Sequence, residues 1–316
     1  MELIRGLHNL RPEHRGCAVT IGNFDGVHLG HRAVIAQLAG CAQALGLPSV
    51  VVLFEPQPRE YFRPDDVPAR LMRLREKLLA LRELPVDRVL CLRFDTRLAS
   101  LAAAEFVERI LLKGLNVRYL VIGDDFRFGH DRRGDFDMLA EVGRRHGFEV
   151  ASMPTFAVGA ERVSSTRVRA ALEADDLATA EKLLGRPYRM CGRVAHGSKI
   201  GRQIGIPTAN IHLHRRAAPV KGIYIAEVCG LPGGPVPAAA SVGTRPTIGG
   251  TRALLEVHLL DFNRNIYGAY LGVDFLHKLR EEQRFDSLEE MRVQIQRDIE
   301  HTRNYFANRR PTAAIS

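Results

Sequence analysis

A change of rhythm near residue 185 does most to limit what this chain can fold into. Before it, short apolar runs alternate with helix-favouring stretches; after it, β-type runs follow one another with no helix between. The early runs Cys17–Gly22, Ser49–Phe54, Arg88–Leu92, Tyr119–Gly123 and Glu149–Met153 are rich in Val, Ile and Leu, and periodic segments fill 31–46, 69–82, 100–114 and 134–147. That order predicts a parallel sheet covered by helices on both faces. Ligands of such sheets collect at the carboxyl ends of the strands. Two shorter helices are expected at 165–173 and 175–184, stopped by Gly185-Arg186-Pro187. The expected domains are therefore 1–185 and 186–309, with 310–316 as a flexible tail.

The second half is rich in Gly and Pro, with β-type runs at 188–195, 220–229, 236–243, 253–260 and 270–276. This favours an antiparallel barrel or a sandwich. From Ser287 to Phe306, Leu288, Met291, Ile295 and Ile299 recur at helical spacing and predict a closing helix with one face to bury.

The 316 residues suffice for two domains, each with its own core. No run approaches the roughly 18 uncharged apolar residues of a membrane helix, and the first residues lack the apolar centre of a secretory signal. A cytoplasmic protein without a membrane partner is expected. Cysteines at 17, 41, 91, 191 and 229 form no CxxC pair, which argues against a disulfide framework or a zinc knuckle. The net charge of +9 suits either nucleic acid or phosphorylated substrates. The basic residues are scattered and the few aromatics do not interleave with them, so a nucleic-acid partner is not expected.

Residues 20–31, TIGNFDGVHLGH, leave a strand, turn through glycines and enter a helix at Gly30-His31. Such a turn offers backbone N–H groups, and the positive end of a helix dipole, to an anion. His28 and His31, three apart at a helix start, can both reach one phosphate cluster and donate to oxygens that gain charge. Alone, the pattern also reads as a tight turn with two incidental histidines. It resembles the HxGH nucleotidyltransferase superfamily, and GNFDGVHLGH resembles its prokaryotic FAD synthetase branch. Class I aminoacyl-tRNA synthetases have a similar HxGH, but no KMSKS-like segment is present. Gly123-Asp124-Asp125-Phe126-Arg127-Phe128-Gly129 is similar to the branch's segment holding nucleotide and flavin, and Ser164-Ser165-Thr166-Arg167-Val168-Arg169 to its phosphate-binding helix start. The resemblance implies that Gly22, Phe24, Asp25, Gly26, Ser164, Ser165, Thr166 and Arg169 bind ATP. It implies Asp125, Phe126 and Phe128 for flavin and His28 and His31 for catalysis of adenylyl transfer to FMN.

Residues 192–211, GRVAHGSKIGRQIGIPTANI, carry glycines that let the backbone approach a ligand. In an extended segment, Thr208 and Asn210 point the same way and could meet one metal–phosphate group. A glycine-rich loop closed by an Asx or Ser/Thr turn is the alternative. The string resembles the G(K/R)xxGxPTAN motif of riboflavin kinases, with Ile-Gly-Ile where Leu-Gly-Phe is usual. Lys221-Gly222-Ile223-Tyr224, Ser241–Thr247 and Leu255–Phe262 continue the match. The family then implies Gly201, Thr208 and Asn210 at ATP, Thr208 and Asn210 at Mg²⁺, Glu256 as general base, and Arg280 near flavin; His258 reads as a bystander.

Together the segments resemble the prokaryotic bifunctional riboflavin kinase/FMN adenylyltransferase family from about residue 15 to 306. This implies an α/β fold: a Rossmann-like HxGH domain, then a small antiparallel β-barrel kinase domain with a C-terminal helix. Riboflavin, FMN, FAD, ATP, ADP and pyrophosphate are the implied partners, ATP and Mg²⁺ the co-substrate and cofactor, and a homo-oligomer stays open. Weighed against this were a chain with one active half, an adenylyltransferase for another phosphate ester, and a nucleic-acid binder.

Overall fold

The computed structural model describes residues 1–309 apart from 160, 198–200, 202–204, 216 and 248–249, so the expected tail 310–316 lies outside the described residues. The chain divides into two units, Met1–Pro68 with Met72–Ser165, and Ala69–Leu71 with Thr166 onward.

In the first unit, β1 (Glu2–Arg5), β2 (Ala18–Ile21), β3 (Ser49–Glu55), β4 (Arg88–Arg93), β5 (Tyr119–Gly123) and β6 (Glu149–Met153) form one sheet. Its order is β1-β4-β3-β2-β5-β6, and every pairing is parallel. Interspersed are α1 (Leu29–Ala44), α2 (Pro58–Phe62), α3 (Leu74–Arg82), α4 (Thr96–Ala99), α5 (Ala103–Phe106) and α6 (Phe136–His146); the helix of α5 continues to Leu115 in the wider π form. A small hairpin pairs β7 (Ala157–Val158) with β8 (Glu161–Arg162).

The continuous Val/Ile/Leu runs follow from burial on both faces. Val50 and Val52 join the core that holds Phe106, Ile110 and Leu111, whereas Val51 and Leu53 join the core beneath Ile35 and Leu81. Successive side chains of one strand thus supply opposite layers. The strand order reverses between β2 and β5, so their carboxyl ends border the crevice where such sheets hold ligands. β1 escaped the sequence pattern because ELIR is a four-residue edge strand with one buried side chain.

In the second unit, α7 (Ser165–Glu173) and α8 (Leu177–Leu184) precede β9 (Tyr188–Ala195), β10 (Ala209–His212), β11 (Gly222–Cys229), β12 (Val236–Thr247), β13 (Gly250–Leu259) and β14 (Tyr270–Arg280). These six strands close a barrel in the order β10-β13-β12-β11-β14-β9, with β9 pairing back onto β10. The barrel-or-sandwich choice therefore resolves as a barrel. Met190, Val194, Ile211, Tyr224, Val257 and Phe275 are among its buried residues.

Three consecutive carbonyls of the short stretch Ala69–Leu71 are held by this unit. Arg169 Nε donates to Ala69 at 2.8 Å, Arg215 Nη1 to Arg70 at 3.0 Å, and the Tyr188 hydroxyl to Leu71 at 3.1 Å.

The closing helix α9 (Leu288–Asn308) packs against β12, but its expected apolar face is only partly used. Leu288 is 58% exposed, and the buried residues are Asp298 and Thr302. The reason is Arg280 of β14: its Nε lies 3.0 Å from Asp298 Oδ1 and its Nη2 2.7 Å from Oδ2. Thr302 donates its hydroxyl to the Asp298 carbonyl at 2.7 Å. A charge pair, more than a row of aliphatic side chains, seats this helix.

Candidate functional sites

Between β2 and α1 the chain runs through Gly22–His28, with left-handed backbone at Phe24 (φ 47°), Gly26 (φ 88°) and Val27 (φ 44°). Glycine adopts this freely; Phe24 and Val27 do so at a steric cost. Their side chains, 3% and 0% exposed, are locked into the core shared by α1 and α3. Asp25 is also buried and fastens the turn: its Oδ1 accepts the Met72 N–H at 2.9 Å, and its carbonyl accepts the Ser165 hydroxyl at 2.8 Å.

His28 caps α1, so the helix begins at Leu29, slightly earlier than the sequence pattern placed it. Its Nδ1 accepts the His31 N–H at 3.3 Å. A neutral ring that accepts at Nδ1 carries its proton on Nε2. The His31 ring stacks on it, centroids 3.6 Å apart and planes 16° apart. Among the described residues, buried His31 Nδ1 has no hydrogen-bond partner. A bare acceptor is less costly there than a stranded N–H, so Nε2 again holds the proton. Burial above all, then the charges of His28 and Lys77, holds His31 well below the usual imidazole range. The pair therefore offers two Nε2–H donors, with His31 neutral at pH 7.

Beside this turn lies a cavity of about 680 Å³ lined by Asn23, Phe54, Phe62, Phe94, Phe126 and Phe128, among others. Phe126 and Phe128 stack with centroids 5.5 Å apart, and Phe106 packs on Phe128 at 5.3 Å. Such a slot suits a flat aromatic ring system with a polar tail. Asp125, grouped with these two in the sequence, is exposed and paired with Arg162. Phe54, Phe62, Phe94 and Phe106 were missed. Phe54 sits in an apolar strand run, while Phe62, Phe94 and Phe106 lie on α2, just past β4 and on α5, and only the folded chain brings them to one cavity.

In the Ser164–Arg169 segment, Ser165 fastens Asp25, Arg169 Nε is held on the Ala69 carbonyl, and Thr166 is exposed.

On the barrel, Asn210 of β10 stands directly opposite Glu256 of β13. Their neighbours Ala209, Ile211, Leu255 and Val257 are buried, so Asn210 and Glu256 belong to the outward set. Directly opposed side chains have Cβ atoms about 5 Å apart. Two glycines leave space for this pair's surroundings. A Cβ on Gly197 would lie 2.3 Å from the Asn210 amide, and one on Gly201 would lie 2.4 Å from the Ile206 carbonyl and 3.3 Å from Thr208 Oγ1. Thr208, Asn210 and Glu256 supply a hydroxyl, an amide oxygen and a carboxylate, the hard donors that Mg²⁺ prefers. His258 Nδ1 lies 2.8 Å from the Pro207 carbonyl, and the N–H it must carry to bond there tethers the Pro-Thr-Ala-Asn strand. A second cavity, of about 520 Å³, is lined by Gly205, Pro207, Thr208, Phe262, Arg264 and Tyr267 among others. Arg280 has Nε and Nη2 on Asp298 and Nη1 on the Glu281 carbonyl.

Among the described residues, Glu227, Cys229 and Asp274 also gather potential metal ligands. Arg189 occupies that spot, with Nε 2.6 Å from Asp274 Oδ1, and Asp274 in turn raises the Arg189 pKa. It is a charge pair already complete.

Residues 10–167 match the model of the FAD synthetase family and residues 184–306 that of the riboflavin kinase family. A Pseudomonas fluorescens protein described as a bifunctional riboflavin kinase/FMN adenylyltransferase is 56% identical over 300 residues, covering 95% of this chain and 96% of its own. One of the same description from Escherichia coli K12 is 52% identical over 312 residues, covering 98% and 100%. A crystal structure from Streptococcus pneumoniae, described as a macrolide-efflux protein, superposes with a TM-score of 0.81 at 32% identity, covering 96% of this chain and 99% of that one. Among the described residues of the present chain, no helix is long and apolar enough to cross a membrane.

Proposed function

The chain belongs to the bifunctional riboflavin kinase/FMN adenylyltransferase family, and from that premise we propose which of its residues perform each step. The protein phosphorylates riboflavin to FMN with its C-terminal domain and transfers an adenylyl group from ATP to FMN with its N-terminal domain. We assign the catalytic domains to 1–185 and 186–309.

In the adenylyl step, an oxygen of the FMN phosphate attacks the α-phosphorus of ATP. The new P–O bond forms as the bond to the bridging α–β oxygen breaks, and pyrophosphate departs. No side chain need become covalent, so positioning and charge stabilisation carry the catalysis. The Gly22–Gly26 turn and the start of α1 receive the phosphates, with Ser164 and Ser165 as further ATP ligands. His28 and His31 donate Nε2–H to oxygens that gain charge. Phe126, Phe128 and the other aromatic walls take the flavin ring, with Asp125 at the flavin as well.

In the kinase step, Glu256 accepts the proton of the ribityl 5′-hydroxyl as that oxygen attacks the γ-phosphorus, and ADP leaves. Thr208 and Asn210 would hold Mg²⁺ and the ATP phosphates beside Gly201. Bound there, the ion would neutralise phosphate charge. Arg280 acts at the flavin through α9, which it fastens. Five free cysteines fit a reducing cytoplasm as the place of action.

The observation that carries the kinase assignment is the Asn210–Glu256 pairing across two strands. Its test is a time course of riboflavin, ATP and Mg²⁺ resolved by chromatography. Glu256→Ala should slow FMN formation by about 10²-fold or more while FAD still forms from added FMN; His28→Ala with His31→Ala should do the reverse. Equal loss of both activities in either variant would refute the division of labour.

A further inference from the structure

Lys77 has no exposed surface at all, yet it is a lysine. It lies on α3, and its Nζ donates to the carbonyl of Asn23, inside the turn between β2 and α1. Burying an ammonium is expensive unless its partners matter. Here a partner is one specific peptide of the anion-binding turn. A trans peptide points its C=O and the following N–H in opposite directions. Drawing the Asn23 carbonyl inward onto Lys77 therefore turns the Phe24 N–H the other way. Phe24 itself is left-handed (φ 47°), a conformation this carbonyl anchor helps to hold. Lys77 also stands close enough to His31 to act on it electrostatically.

We propose that Lys77 is a positioning residue for adenylyl transfer: its buried ammonium sets the orientation of the Asn23–Phe24 peptide and places a fixed positive charge behind His31. The idea rests on the adenylyl-transfer reading of the turn. Lys77 touches no reacting atom. It shapes the donors that do, and its charge adds to the potential felt by incoming phosphates. The charged and titratable groups tied to the pair are His28, which caps α1, and Cys91 of β4, whose thiol feels both Glu55 and Lys77. With the ammonium gone, one of the charges that oppose protonation of His31 is lost, so His31 should take up its proton at higher pH.

The experiment compares full-length wild type, Lys77→Met and Lys77→Gln for FAD formation from FMN and ATP across pH 5.5 to 9, with riboflavin phosphorylation by the same chains as the internal reference. Lys77→Met should lower kcat for FAD formation by about tenfold or more, move the acid limb of the pH profile upward, and leave FMN formation unchanged. Lys77→Gln keeps a donor without the charge, so it should recover part of kcat while retaining the shifted limb. A Lys77→Met protein with wild-type rate and wild-type pH profile overturns the proposal. So does parallel loss of both activities in both variants, which would make Lys77 a support of the fold alone. His28→Ala with His31→Ala serves as the check on the premise: if that variant still made FAD at the wild-type rate, the reading of the turn would fail independently of Lys77.

Discussion

Glycine 197 shows how an absent side chain can govern chemistry. The Asn210 amide occupies the place where its Cβ would be, 2.3 Å away, so Gly197→Ala must push one of the two aside. A displacement of about 1 Å at a phosphoryl-transfer site can cost about 10²-fold in rate. Gly197→Ala should therefore cut FMN formation by roughly that factor in a steady-state assay, with FAD formation from FMN intact. At this scale the sequence was informative about polar motif residues and poor about the rest. His28, His31 and Asn210 stand in strings whose spacing allows contact with a phosphate, whereas Glu256 is singled out only by the family resemblance. Lys77 is singled out by neither, because its burial depends on where α3 lies against the Gly22–His28 turn. The aromatic wall of Phe54, Phe62, Phe94 and Phe106 was hidden for a similar reason, since these residues come from separate strands and helices that meet only in the fold.

Among the elements, those with strong internal periodicity were legible and those defined by their neighbours were not. β5 and β6 fall where their apolar runs fall. β1 and β10, four residues each, become strands only because β4, β9 and β13 offer them partners. The closing helix was found, but its seat was misread as aliphatic. Asp298, 4% exposed in its side chain, and Arg280, 18% exposed, make that seat. Removing one member of a buried pair strands the other, a loss of about 3–5 kcal/mol. Asp298→Ala should lower the urea midpoint accordingly, and a double variant Arg280→Met with Asp298→Leu should regain much of it. If Asp298→Ala left the midpoint unchanged, the pair would not be what secures the helix.

For the molecule as a whole, the depressed proton affinity of His31 has a thermodynamic consequence. Its unfolded value is near 6.5 and its folded value lies well below. Between the two, the unfolded chain binds a proton that the folded one refuses, so stability declines as pH falls below about 6.5 and is level in this respect above it. Urea midpoints at pH 7.5 and 5.5 should differ more in wild type than in His31→Gln; equal differences would mean that His31 contributes nothing to the slope.

The three carbonyls of Ala69–Leu71 bear on how such a gene could be divided. Because this stretch belongs to the second unit, a break near residue 165 leaves a three-residue fragment of that unit on the other polypeptide. Tyr188 and Arg215, 2% and 7% exposed, would then sit in a shortened product without the acceptors that Leu71 and Arg70 supply. Fission into two single-function genes would thus deprive the kinase descendant of two side-chain-to-carbonyl hydrogen bonds that the undivided chain supplies, leaving Arg215 on the Tyr188 hydroxyl.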